Sequence, residues 1–142
     1  PFLSDEDVTV FVLGDNFLEN NPLKKINFSQ ILSDKGCCIF TYEVPNPSDF
    51  GVAVIEENKV ISIEEKPDKP KSNKAIIGVY IYDNTLIDKI QTLEPSDRGE
   101  YEITDLNNLY IKEGSCMSEE IIGWWIDAGT PDRIEELESK LV

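Results

Sequence analysis

The chain is 142 residues long and 40% hydrophobic, in the size range of one domain with a single sizeable core. Its 28 acids stand against 13 bases and no histidine, a formal net charge of −15, which excludes nonspecific attraction to nucleic acid or to anionic membrane surfaces. Arg98 and Arg133 are the only arginines, so a phosphorylated ligand has few guanidinium partners and must lean on lysine, backbone N–H groups or a bound Mg²⁺.

In chain order, Val8 to Leu13 is a short β-branched run ending in Gly14-Asp15-Asn16, which predicts a buried strand followed by a loop. Residues 21–36 carry apolar positions at 23, 26, 28, 31 and 32 with a closing glycine, the spacing of a helix. Cys37 to Val44 reads as a second strand, and the prolines and Asx/Ser cluster of residues 44–49 read as loop. From Phe50 to Lys66 two β-rich runs flank Glu56-Glu57-Asn58, the pattern of a hairpin.

Ala75 to Tyr82 is a further strand, and Asn84 to Leu93 reads as a short helix capped by Asp83 or Asn84. Residues 94–102 are loop, and Thr104 to Lys112 reads as a helix with Thr104 as its cap and Gly114 as its stop. Ser118 to Ile126 is a strand pair or one bent strand running into Asp127-Ala128-Gly129-Thr130. Thr130 then caps a final helix that has Pro131 at its first position and runs through about Leu141. Strands and helices are intermixed, which predicts an α/β or mixed-sheet domain over 1–142. Cys37, Cys38 and Cys116 lack the spacing of zinc sites or disulfide frameworks and read as core residues in a reducing compartment. With no leader pattern and no apolar run near the roughly 20 residues of a membrane span, the expected setting is the cytoplasm.

Ligands of open α/β sheets bind outside the carboxyl ends of the strands. Asp15 and Asp127 each follow an apolar β-like run and each lie close to a glycine. Singly, either is turn chemistry; together they can make a two-carboxylate Mg²⁺ site.

Six stretches carry a family resemblance in their order: Gly14-Asp15-Asn16, Phe50-Gly51-Val52, Glu64 to Pro67, Gly78-Val79-Tyr80, Arg98 to Asp105 and Trp125 to Thr130. Together they resemble the sugar-1-phosphate nucleotidylyltransferases, most closely the glucose-1-phosphate thymidylyltransferase branch. The resemblance implies a Rossmann-like α/β fold with a mixed, mostly parallel central sheet and a small β-rich subregion. It also implies transfer of a nucleotidyl group, with dTTP as the expected donor, to a hexose-1-phosphate, with glucose-1-phosphate the expected acceptor. By resemblance, Asp15 and Asp127 hold Mg²⁺ and Glu65 accepts from sugar hydroxyls. Lys66 and Arg98 meet phosphate, Gly51 lets backbone approach the sugar, and Tyr80 lines the pocket. Phe50 stands where tyrosine is commoner in the family and Ala128 where threonine is usual; neither change removes a charge.

The family's N-terminal Gly-rich loop, which cradles the triphosphate and holds an arginine, has no counterpart in these residues. The resemblance therefore implies the C-terminal, sugar-phosphate-binding portion of a longer enzyme, inactive by itself. In the family another strand lies beside Val8 to Leu13, so this strand is expected to present an open edge and the chain to self-associate. Two other classes fit the same residues: a noncatalytic sugar-phosphate-binding or regulatory homologue, and an acidic interaction domain without a small ligand.

Overall fold

Eight strands form among the residues that the computed structural model describes, which are residue 4, residues 6–97 and residues 99–142. They are β1 (Thr9–Val12), β2 (Asn16–Leu18), β3 (Cys37–Glu43), β4 (Gly51–Glu56), β5 (Lys59–Glu65), β6 (Lys74–Tyr82), β7 (Cys116–Glu120) and β8 (Trp125–Asp127). Four α-helices accompany them: α1 (Phe28–Ser33), α2 (Leu86–Gln91), α3 (Ile103–Lys112) and α4 (Pro131–Leu141).

The large sheet runs β1-β6-β3-β7-β5-β4, and β2 pairs with β8 in a separate two-stranded sheet. The sheet is mixed, but it is not mostly parallel as the resemblance implied. Only β3–β7 is parallel among the described pairings; β1–β6, β3–β6, β4–β5, β4–β6 and β5–β7 are antiparallel. The reason lies in the connections. β4 and β5 are joined by Glu57 and Asn58, both at positive φ (48° and 66°), the geometry of a tight hairpin turn, which can link only antiparallel strands. The chain between β3 and β7 carries α2 and α3, long enough for a crossover. β4 also bridges back to β6 at Val52↔Ala75, so β6, β3, β7, β5 and β4 close into a ring of strands.

β3 lies near the middle of the sheet, and its first five residues are buried on both faces. Cys38 and Phe40 pack with Ile31, Val79, Ile81 and Trp125 on one face; Cys37 and Ile39 pack with Ala53, Val60, Tyr82, Leu106 and Tyr110 on the other. Full burial of each large apolar side chain stabilises by about 1.5–3 kcal/mol, so these two clusters hold the sheet to its helices. The three cysteines are free and buried, as their spacing predicted.

Four boundaries differ from the sequence reading. The helix over 21–36 is a 3₁₀ turn at Pro22–Lys25 followed by α1, because Asn21 and Asn27 each turn a side-chain oxygen onto a following N–H and start a new helical segment. Asp83 does not cap α2. It is fully buried and accepts from the hydroxyls of Thr85 and Tyr110, both at 2.8 Å, while Thr85 takes the cap position. Helix α3 starts one residue before the expected Thr104 cap, with Glu102 at the cap, extended and held by the Ser96 hydroxyl at 2.8 Å. The run from Ser118 to Ile126 divides between two sheets, and Gly123, at φ 94°, makes the break. Thr130 and Pro131 open α4 as expected.

Candidate functional site

The loop expected after β1 is in part a strand. β2 pairs with β8 so that Asn16 lies opposite Asp127, and the Ala128 N–H donates to the Asp15 carbonyl at 2.8 Å. Two acids 112 positions apart in the sequence are thereby fixed side by side. A Cβ placed on Gly129 would lie 3.1 Å from Asp127 Oδ1 and 3.6 Å from Asp15 Oδ2, so both carboxylates reach one point above this glycine. The Gly129 N–H also donates to Asp127 Oδ1 at 3.0 Å.

Asn16 locks this corner to the large sheet. Its Nδ2 donates to Asp15 Oδ1 at 2.9 Å, and its Oδ1 accepts from the Gly78 N–H at 2.9 Å and from Trp125 Nε1 at 2.7 Å. Gly78 is required here, because a Cβ would fall 2.6 Å from the Asn16 amide and 2.8 Å from Leu13 Cβ. The sequence reading gave Asn16 no role. Its signal was an Asx directly after an acid at a strand end, a pattern indistinguishable from a turn until its long-range partners are seen.

A second group forms at the open end of the β4–β5 hairpin. Gly51 pairs with Glu65, and a Cβ on Gly51 would meet Glu65 Oε2 at 2.9 Å, so the carboxylate lies across the bare backbone. Tyr80 is buried, and its phenol is pushed up to about 12, first by burial and then by the Glu65 charge nearby. Lys66 leaves the strand at φ 43°, a left-handed backbone that costs a non-glycine residue about 1–2 kcal/mol. The Phe50 carbonyl holds it there by accepting its N–H at 3.0 Å, and Pro67 ends the ladder.

Phe50 and Trp125 join the two groups, packing edge to face with ring centroids 5.5 Å apart. The Arg133 guanidinium stands over the Phe50 ring, 6.0 Å from its centroid. The structure thus brings Asp15 together with Asp127, and Gly51 with Glu65, Lys66 and Tyr80, and it links the pairs through Asn16, Trp125 and Phe50. Arg98 lies outside the described residues. Two hard oxygen donors with no histidine anywhere in the chain make a set suited to Mg²⁺ rather than to zinc or copper.

Residues 1–142 match the family model described as nucleotidyl transferase. The glucose-1-phosphate thymidylyltransferase of Neisseria meningitidis serogroup A is 39% identical over 142 residues, which are 97% of this chain and 49% of that protein. A solved structure described as a glucose-1-phosphate thymidylyltransferase of Bacillus anthracis, in complex with sucrose, superposes with a TM-score of 0.81 at 39% identity. It covers 95% of this chain and 55% of its own. A UDP-glucose pyrophosphorylase complexed with UDP-glucose shares the fold at a TM-score of 0.79 and 21% identity, over 96% of this chain and 56% of its own. The chain spans about half the length of the curated relatives it matches.

Proposed function

Because this chain belongs to the nucleotidyl transferase family, we propose that its cleft is the acceptor half of a nucleotidyl-transfer site, with glucose-1-phosphate as acceptor and dTTP as donor. The observation that carries this reading is the meeting of Asp15 and Asp127 above Gly129, tied through Trp125 and Phe50 to the Glu65–Lys66 corner.

The chemistry is attack of a sugar-phosphate oxygen on the α-phosphorus of the triphosphate. A new P–O bond forms as the bond to the bridging oxygen breaks and pyrophosphate leaves. Bringing two polyanions into line is the main barrier, and cations and positioning lower it. Asp15 and Asp127 would hold Mg²⁺, which neutralises phosphate charge when bound. Among the described residues no three acidic or thiol side chains gather to hold a metal by themselves, so the remaining ligands would be water and phosphate oxygens. Glu65 would accept from sugar hydroxyls over the bare Gly51 backbone, Lys66 would meet the sugar's phosphate, and Tyr80 would line the pocket as a neutral phenol. Arg98 enters this reading by resemblance alone.

Calorimetric titration with glucose-1-phosphate and Mg²⁺ tests it. Saturable binding is expected, weakened at least tenfold in Lys66→Ala and stripped of its Mg²⁺ dependence in Asp127→Asn. Pyrophosphate release from dTTP and glucose-1-phosphate is expected of a polypeptide joining this chain to the rest of the relatives' length, and not of the 142 residues alone. Binding without release in that longer polypeptide would favour a noncatalytic sugar-phosphate binder. No binding at all would overturn both readings.

A further inference from the structure

Away from this cleft, the ring of strands is open at one end. Among the described residues, the ladder pairs that join β4 and β5 to the rest of the sheet are Val52↔Ala75 and Lys59↔Met117. The gap is a groove of about 670 Å³ whose floor includes Thr41 of β3 and Ser118 of β7, with Val54 and Ile55 of β4 along one wall. Thr41 and Ser118 are 2% and 7% exposed, and neither hydroxyl has a hydrogen-bond partner among the described residues. The one described side-chain polar atom that is both sealed from solvent and unpartnered is Asp83 Oδ2. The two hydroxyls therefore keep some open surface, and the groove is the open volume they border. Two nearly buried hydroxyls with no protein partner, both bordering one groove, leave hydrogen-bonding capacity that a polar ligand can take up in place of water.

The rim decides the class of ligand. Lys74 is held by Glu120 at 2.6 Å and by Glu43 at 3.4 Å, and Lys71 by Glu64 at 2.8 Å, so two of the three lysines that line the groove are already neutralised, and the charge of the third, Lys25, is matched by that of Glu119 in the same lining. Glu119 and Glu120 also line the groove, in a chain whose net charge is −15, which disfavours an anion. Beside these balanced charges stand neutral hydroxyl and amide groups, Thr41, Ser118 and Asn58, next to the aliphatic side chains of Val54 and Ile55. We infer that this groove binds a neutral polyhydroxylated ligand, a carbohydrate without phosphate, at a site separate from the Asp15–Asp127 cleft. Its hydroxyls would pair with the floor while its C–H faces pack on Ile55 and Val54.

The test is an amide NMR titration of the isotopically labelled protein with maltose. Saturable shifts are expected at Thr41, Asn58 and Ser118, at an affinity on the order of millimolar. Thr41→Val, which keeps the shape, and Ser118→Ala should each weaken maltose about fivefold to tenfold, the worth of one hydroxyl hydrogen bond. Unperturbed amides elsewhere would show that these variants fold, and Lys66→Ala should leave maltose binding unchanged. The inference is overturned by shifts confined to Gly51, Glu65 and Gly78, by the absence of saturable shifts, or by maltose affinity that survives both hydroxyl removals. Tighter binding of inorganic phosphate than of maltose in the groove would also overturn it.

Discussion

The indole Nε1 of Trp125 donates to the side-chain oxygen of Asn16 at 2.7 Å. The same oxygen accepts the Gly78 amide, and the Asn16 Nδ2 reaches Asp15, so one amide side chain ties β8, β6 and the first acid of the cleft together. Asn16→Ala leaves the N–H of a nearly buried tryptophan and a strand amide without their acceptor. Each orphaned donor costs about 1–3 kcal/mol. Urea denaturation should show that loss, and an unchanged midpoint would mean that water replaces the amide at no cost.

Gly51 and Gly78 both resist a Cβ, and for different reasons. At Gly51 the obstacle is the far end of the Glu65 side chain, which can swing away. Gly51→Ala should therefore leave the melting temperature nearly unchanged while weakening glucose-1-phosphate about tenfold, since the carboxylate is displaced from the bare backbone. At Gly78 the obstacle is Leu13 Cβ and the pinned Asn16 amide. Gly78→Ala should cost about 1–3 kcal/mol of stability, as overpacked sites do. A thermal melt alongside a binding titration separates the two variants, and equal loss of stability in both would refute the distinction.

Alkaline pH should unfold this protein by a route that its composition hides. Burial raises Cys38 to about 12, with the Glu119 charge adding to it, and raises Tyr80 to about 12 with help from Glu65. Cys37, Tyr82 and Tyr110 move the same way, chiefly through burial. Each group loses its proton more readily in the unfolded chain, so the native state binds more protons and stability falls as pH rises. The effect sets in as pH rises through about 8.5, where the unfolded thiols ionise, and grows through pH about 12. Urea midpoints measured from pH 8 to pH 11 should decline throughout the upper part of that range. A flat profile would show that these thiols and phenols are not buried.

The apolar run of β3, the hairpin around Glu57-Asn58 and the Thr130–Pro131 helix start are legible because each is local: run, turn residue and cap lie within a few positions. The pairing of Asn16 with Asp127 is not legible, since no pattern within Phe17 and Leu18 distinguishes a three-residue strand from a loop. Its stability comes from a partner more than a hundred residues away. The cap of α2 is also set by a partner outside its own turn. Asp83 is a good cap by type, but Tyr110 and Thr85 claim its carboxylate and draw it into the core. Asp15 and Asp127 were recognisable as candidates by their places at strand ends. Their approach to one another depends on β2–β8, which only the fold supplies.

β1 is the outermost strand of the large sheet, pairing with β6 and, among the described residues, with nothing on its other side. Val10, Phe11, Val12 and Leu13 are 37%, 40%, 58% and 47% exposed, an apolar run with no charge or proline inside the strand to discourage pairing. Such an edge offers a row of free N–H and C=O groups with apolar flanks, and it favours association with another strand. The 142-residue chain is therefore expected to self-associate, with sedimentation coefficients that rise with concentration. Val12→Lys places a charge on the most exposed of the strand's apolar positions and should shift the population toward monomer without lowering the urea midpoint by more than about 0.5 kcal/mol equivalent. A native chain that sediments as a concentration-independent monomer would show that the edge is guarded by something other than its strand chemistry. If Val12→Lys leaves an associating chain unchanged, the contact lies on another face.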